Sequence, residues 1–210
     1  MPALAVAGRL RDAGAEVTFV GGERAEAELV PAAGYELRPI RVEGLSRTNP
    51  LRAARALLRA GAAVGAAHRI LAELRPAAVL GGGGYVAGPV GLAALARRIP
   101  LVLTEADSHL GITNRLLAPR ARRVCLAFPI EGRSGERYVV TGRPVPAPAT
   151  DAAAARARFD LRPGDRCVLV FGGSLGSRTI NEAAVEAFRA APFRVLHAAG
   201  TRETPRRRPR

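Results

Sequence analysis

The chain contains no lysine and no tryptophan, a single methionine and two cysteines. Each scarcity excludes something. All 32 cations are arginines, so the formal net charge of +14 reads as codon bias rather than as a surface selected for nucleic acid. Aromatic residues make up only 4% of the chain, which leaves little with which to stack single-stranded bases. The basic balance therefore points to an anionic lipid surface or a diphosphate, and no nucleic-acid partner is expected. Cys125 and Cys167 both sit inside apolar runs, form no CxxC, and read as buried free thiols. His68, His109 and His197 are scattered and make no metal-ligand cluster; neither a metal nor an organic cofactor is expected. No apolar run reaches the roughly 18 residues of a membrane span. No basic stretch followed by an apolar one marks a signal peptide, so a cytoplasmic address is the default.

What is present is alternation. Leu4, Ala7 and Leu10 give a helical stripe ended by Gly14, and 16–20 reads as a strand. A short helix over 24–33 and a strand over 36–42 follow. Asn49 suits an N-cap and Pro50 the first position of a long helix. Ala53, Leu57, Ala60, Val64, Ala67, Leu71 and Leu74 line one face of it, and Pro76 ends it. Further strands are expected at 77–80, 101–103 and 123–126, with a helix over 86–97. These runs are short, apolar and not alternating, as strands buried on both faces of a parallel sheet are. The pattern predicts a doubly wound α/β domain over 1–142. A proline-rich linker with a short helix (151–159) spans 143–165. A second α/β unit opens at 166–203 with a strand over 167–171, a helix over 177–189 and a strand over 193–197. Residues 204–210, nearly all arginine and proline, read as a disordered tail. The chain opens inside a helix and its second unit stops early, so both ends read as cut.

Two glycine-rich stretches concentrate the chemistry: Gly81-Gly82-Gly83-Gly84-Tyr85 and Gly172-Gly173-Ser174-Leu175-Gly176. Each follows an apolar strand and opens a helix, the geometry that brings backbone N–H groups to a phosphate or sugar without a metal. A tight turn that only packs helix on strand would look the same. Between the loops, Glu105, Asp107 and His109 form a polar cluster just after a strand, where ligands bind in doubly wound sheets. They suit sugar contact or proton removal, or else capping on a solvated loop. Asn114 suits either a ligand contact or a turn cap; Tyr85 suits either a cleft wall or core filling. The arginine-rich face of the 50–75 helix suits lipid phosphate or plain solvent.

Taken in order, these motifs resemble the MurG-type glycosyltransferases of family 28. The resemblance rests on Gly83-Gly84-Tyr85-Val86-Ala87-Gly88-Pro89, on Glu105 through Asn114, on Gly142-Arg143-Pro144-Val145, and on Gly172 through Ser177 with Asn181. Gly44-Leu45 with Asn49-Pro50-Leu51 adds to it. It implies a GT-B architecture of two Rossmann-like domains with the site in the cleft between them. It also implies inverting transfer of N-acetylglucosamine from UDP-N-acetylglucosamine to a polyprenyl-diphosphate-linked muramyl peptide, and peripheral attachment at the cytoplasmic face of the plasma membrane. Carried over residue by residue, Gly82, Gly83, Gly84, Tyr85 and Asn114 are acceptor-side, and Asp107, Gly173, Ser174 and Gly176 are on the UDP-sugar side. Glu105 and Asp107 are the catalytic candidates.

The departures matter. The family's first glycine loop and its histidine have no counterpart in the sequence. Its Glu-Gln-Asn is Glu105-Ala106-Asp107, the arginine after its Asn-Pro-Val is Pro146, and the glutamine after its Gly-Gly-Ser is Leu175. These changes leave room for another lipid acceptor, such as diacylglycerol, or for a non-catalytic lipid-binding chain.

Overall fold

A computed structural model describes residues 2–22, 25–41, 50–145, 150–173 and 175–200, with backbone alone at 25 and 50–60. The chain divides into two compact units, Met1–Pro146 and Ala147–Arg210.

In the first unit the expected alternation is present. Helix α1 (Pro2–Asp12) precedes β1 (Thr18–Gly21), α2 (Ala25–Ala32) and β2 (Glu36–Pro39). The long stripe forms α3 (Pro50–Leu74), which starts on its proline. The proposed N-cap, Asn49, and the Gly44-Leu45 segment lie outside the described residues. Ala67 and Leu71 of the stripe are buried and Val64 packs against the same core, while His68 and Arg69 are exposed. Then come β3 (Val79–Gly81), α4 (Gly84–Ala96), β4 (Leu101–Glu105), α5 (Ile112–Leu117), a 3-10 turn (Ala118–Arg120), β5 (Arg123–Leu126) and β6 (Tyr138–Val140). The sequence pattern did not show α5 and β6. With six and three residues they are shorter than the windows in which periodicity can be read.

Strands β3-β4-β5-β6 pair in that order, all parallel, with Gly81 opposite Leu103 and Glu105 opposite Leu126. Their interior is apolar: Leu101, Leu103, Val124 and Leu126 are fully buried, and Val90, Ala93 and Ala94 of α4 cover them. Burying four such side chains is worth roughly 6–12 kcal/mol before entropy is charged against it. β1 and β2 form a separate parallel pair, so the expected sheet is in two pieces among the described residues. Val20 of β1 still packs against the main core. Phe19 and Tyr35 meet edge to face, 5.3 Å between centroids, in a smaller cluster with Ala7 and Val30.

The second unit holds α6 (Ala152–Ala157), capped by the Asp151 carboxylate, which accepts from the Ala154 N–H at 2.8 Å. It continues with β7 (Cys167–Phe171), α7 (Arg178–Ala187) and β8 (Arg194–Ala198), the two strands parallel. Here one expectation fails: β7 is not buried on both faces, since Leu169 and Phe171 are 60% and 66% exposed. Among the described residues the sheet of this unit has two strands, β7 and β8, and one side of β7 lies open. The cysteines also differ from expectation. Both are free but only half-buried, and burial pushes the Cys125 thiol up.

Candidate functional site

The first glycine stretch lies where the sequence pattern places it, at the carboxyl end of β3 and the start of α4. Gly83 is the residue before the helix, with φ 78° and ψ −171°. The first N–H groups of α4 have no helical acceptors, so the turn presents donors at the positive end of a 13-residue helix. Tyr85 is 64% exposed and belongs to no core.

The neighbouring strand supplies the wall of this turn. The Thr104 hydroxyl donates to the Gly81 carbonyl at 3.4 Å, and the Thr113 hydroxyl to that of Gly84 at 3.2 Å. Glu105, the last residue of β4, is 9% exposed. Its Oε2 accepts from the Gly111 N–H at 2.8 Å and from Asn114 Nδ2 at 3.0 Å, and its Oε1 from the Asp107 N–H at 3.2 Å. Asn114 Nδ2 also donates to the Thr104 carbonyl at 2.9 Å. Both partners can only accept, which fixes the amide orientation. Asn114 is 1% exposed, and its Oδ1 is buried with no donor facing it. The amide sits beneath the glycine turn, 3.7 Å from where a Cβ on Gly83 would stand. The structure thus brings Gly83, Gly84, Glu105 and Asn114 together and leaves Asp107 and His109 on the exposed rim. The Asp107 carboxylate has no partner among the described residues. Sequence reasoning placed Arg143 in the Gly142-Arg143-Pro144-Val145 motif but missed its contact: its Nη2 donates to the Ala106 carbonyl at 2.6 Å and ties the connector to this loop.

Burial raises the Glu105 carboxyl, but hydrogen bonds from Gly111, Asn114, Asp107 and Ala106 together outweigh it and hold the group below its usual value. A carboxyl depressed in the folded state stabilises the fold above its unfolded pKa, and that contribution is lost as pH falls through the folded value. Melting temperatures of the wild-type chain should therefore drop on acidification below about pH 4.5. Glu105→Gln, which has no carboxyl to protonate there, should show a flatter acid limb in the same melts.

The second stretch, in the other unit, also lies at a strand-to-helix junction, between β7 and α7. Ser174 lies outside the described residues. The Gly176 N–H donates to the Gly173 carbonyl at 2.8 Å and closes the turn. Asn181 is 8% exposed; its Nδ2 donates to the Ala199 carbonyl at 2.8 Å and its Oδ1 lies 2.9 Å from His197 Nε2. Because an amide oxygen only accepts, His197 carries its proton on Nε2. The sequence alone gave no reason to join His197 to this loop.

Among the described residues no three metal-binding side chains converge. No helix there is long and apolar enough to cross a membrane.

The model of the glycosyltransferase family 28 N-terminal domain matches residues 1–126. A relative from Nitrosococcus oceani, named UDP-N-acetylglucosamine–N-acetylmuramyl-(pentapeptide) pyrophosphoryl-undecaprenol N-acetylglucosamine transferase, is 41% identical over 207 residues, covering 96% of this chain and 58% of its own length. One of the same name from Moorella thermoacetica is 42% identical over 190 residues, covering 87% and 51%. The chain thus spans about half the length of the curated relatives it matches. The crystal structure of Acinetobacter baumannii MurG superposes with a TM-score of 0.68 at 30% identity, over 95% of this chain and 55% of that one. The calicheamicin glycosyltransferase CalG4, at 16% identity and a TM-score of 0.62, shares the fold. With its Rossmann-like α/β architecture and its glycine turn backed by Glu105 and Asn114, the chain belongs to glycosyltransferase family 28.

Proposed function

We propose that this chain is the acceptor-side part, with the opening of the donor-side part, of an enzyme that transfers N-acetylglucosamine from UDP-N-acetylglucosamine to a polyprenyl-diphosphate-linked muramyl peptide. The observation that carries the reading is the first glycine turn. It has free helix N-terminal donors and an exposed aromatic at Tyr85 just after β3, and an exposed carboxylate at Asp107 just after the neighbouring β4. Those parts suit an acceptor that brings a diphosphate, a sugar and a hydroxyl to be deprotonated. In this assignment Gly82, Gly83 and Gly84 meet the acceptor diphosphate and Tyr85 its sugar. Gly173, Ser174 and Gly176 meet the UDP of the donor.

Attachment to the cytoplasmic face of the plasma membrane belongs to the same proposal. At the amino ends of β4 and β5, Arg98, Arg120, Arg122, Arg123 and Arg137 rim a cavity of about 630 Å³ whose one carboxylate is Glu136. None of the five makes an ion pair among the described residues. Guanidinium groups so placed are drawn to lipid phosphate.

The test is acceptor capture by the immobilised chain. Detergent micelles carrying the lipid-linked muramyl peptide should bind saturably, and micelles carrying diacylglycerol should neither bind nor compete. Equal retention of both lipids would overturn the acceptor assignment, and retention of neither would overturn the whole reading.

A further inference from the structure

We propose that Glu105 is a positioning residue: it clamps the 106–111 loop and, through Asn114, the glycine turn above it, and it does not take the acceptor's proton. The inference rests on the transfer reading for its meaning, though not for its test.

A general base needs a lone pair facing the hydroxyl at about 2.6–3.2 Å and a protonated form the site tolerates. Glu105 has neither. Its two oxygens already receive the Gly111 N–H, the Asn114 amide and the Asp107 N–H. Protonating it would set an O–H against donors and weaken the bonds that shape the loop. A carboxylate accepting several N–H groups is instead a structural anion.

The clamp reaches the turn through Asn114. That side chain is buried with one oxygen unpaired, a costly arrangement that holds only while both amide hydrogens are engaged. One of the two goes to Glu105 and the other to the Thr104 carbonyl, and the amide then lies directly under Gly83. Loss of the carboxylate frees the amide to rotate and removes the support of the turn. The same carboxylate grips the backbone of Asp107, so it also aims the exposed carboxylate beside it. Of the two acids in Glu105-Ala106-Asp107, Asp107 is the one with oxygens free to meet a proton.

The experiment is residue-resolved amide hydrogen exchange on the 210-residue chain, comparing wild type with Glu105→Gln, Glu105→Asp, Glu105→Ala and Asn114→Ala. Gln keeps an acceptor oxygen toward Gly111 and Asn114 but turns its NH2 on the Asp107 N–H, as a protonated carboxyl would turn its O–H; Asp is one methylene too short. We expect Glu105→Asp and Glu105→Ala to speed exchange at the Asp107 and Gly111 amides by about tenfold or more, with Gln restoring the protection of Gly111, and these two variants and Asn114→Ala to shift the Gly83 and Gly84 amide resonances. In the wild type, the Gly111 amide proton shift should track titration of the Glu105 carboxyl. The proposal is overturned if the Gly83 and Gly84 amide resonances stay at their wild-type positions in the Asp and Ala variants, or if the Gly111 amide exchanges as fast in Gln as in Ala. Should Glu105→Ala fail to fold, the Gln and Asp pair decides alone. No lipid or sugar is present, so failure of the acceptor assignment would leave this result standing.

Discussion

Gly176→Ala is expected to destabilise the second unit by about 3 kcal/mol, whereas Gly173→Ala, in the same turn, should leave it within about 0.5 kcal/mol of wild type. The difference lies in what each new methyl meets. Gly176 has φ 86°, in the left-handed region that alanine avoids, and a Cβ there would run into the Ala199 carbonyl oxygen, with the Gly200 Cα only 3.2 Å away. Gly200, at φ 84°, faces it from the other side, so the two backbones pass at contact distance with no side chain between them. The Ala199 carbonyl cannot retreat without losing the Asn181 amide that donates to it at 2.8 Å. Gly173 has open space around its α-carbon and no left-handed torsion. Hydrogen exchange of peptides within 167–200 reads the second unit separately from the first. A Gly176→Ala variant with wild-type protection there would show that the two loops are not held back to back.

That close approach explains a limit of the sequence. The glycine stretches were legible because strand, glycine and helix follow one another along the chain. The strands at 123–126 and 167–171 form over the predicted residues because an apolar run with short polar or proline flanks has few alternatives. Asn181, His197 and Gly200 were not legible as partners, because parallel pairing of β7 with β8 brings them together across about twenty residues of intervening chain. Arg143 and Ala106 are a similar case in the first unit: their bond spans 37 residues. Glu105 shows the other kind of limit. Its residue type and its place after a strand suggest proton chemistry, and only the directions of three N–H donors reveal that most of its lone pairs are occupied. Charge was the least informative feature of all. With arginine as the sole basic residue apart from histidine, composition could not distinguish the five guanidinium groups at the amino edge of β4 and β5 from the rest.

Gly83→Ala tests the first turn in a different way, because there space is not the obstacle. A Cβ on Gly83 would stand 3.7 Å from Asn114 Nδ2, an ordinary contact. The obstacle is the backbone itself: φ 78° with ψ −171° is a conformation that only glycine adopts without strain. The expected cost is about 2–3 kcal/mol, and the chain can relieve it by swinging φ back to negative values and re-aiming the first amides of α4. Thermal melts should show the loss of stability, and micelles carrying the lipid-linked muramyl peptide should bind about tenfold or more weakly. Two comparisons isolate the cause. Gly82→Ala, which has no left-handed torsion and meets only the Thr104 hydroxyl at 3.8 Å, should melt near wild type. Gly83→Asn should be as damaging as alanine. Asparagine is tolerated at ψ near +45°, where its side chain bonds its own backbone, but not at −171°. If asparagine rescued Gly83, the turn would have to be an ordinary left-handed one. The first amides of α4 would then be aimed differently, and the diphosphate would have no cradle there.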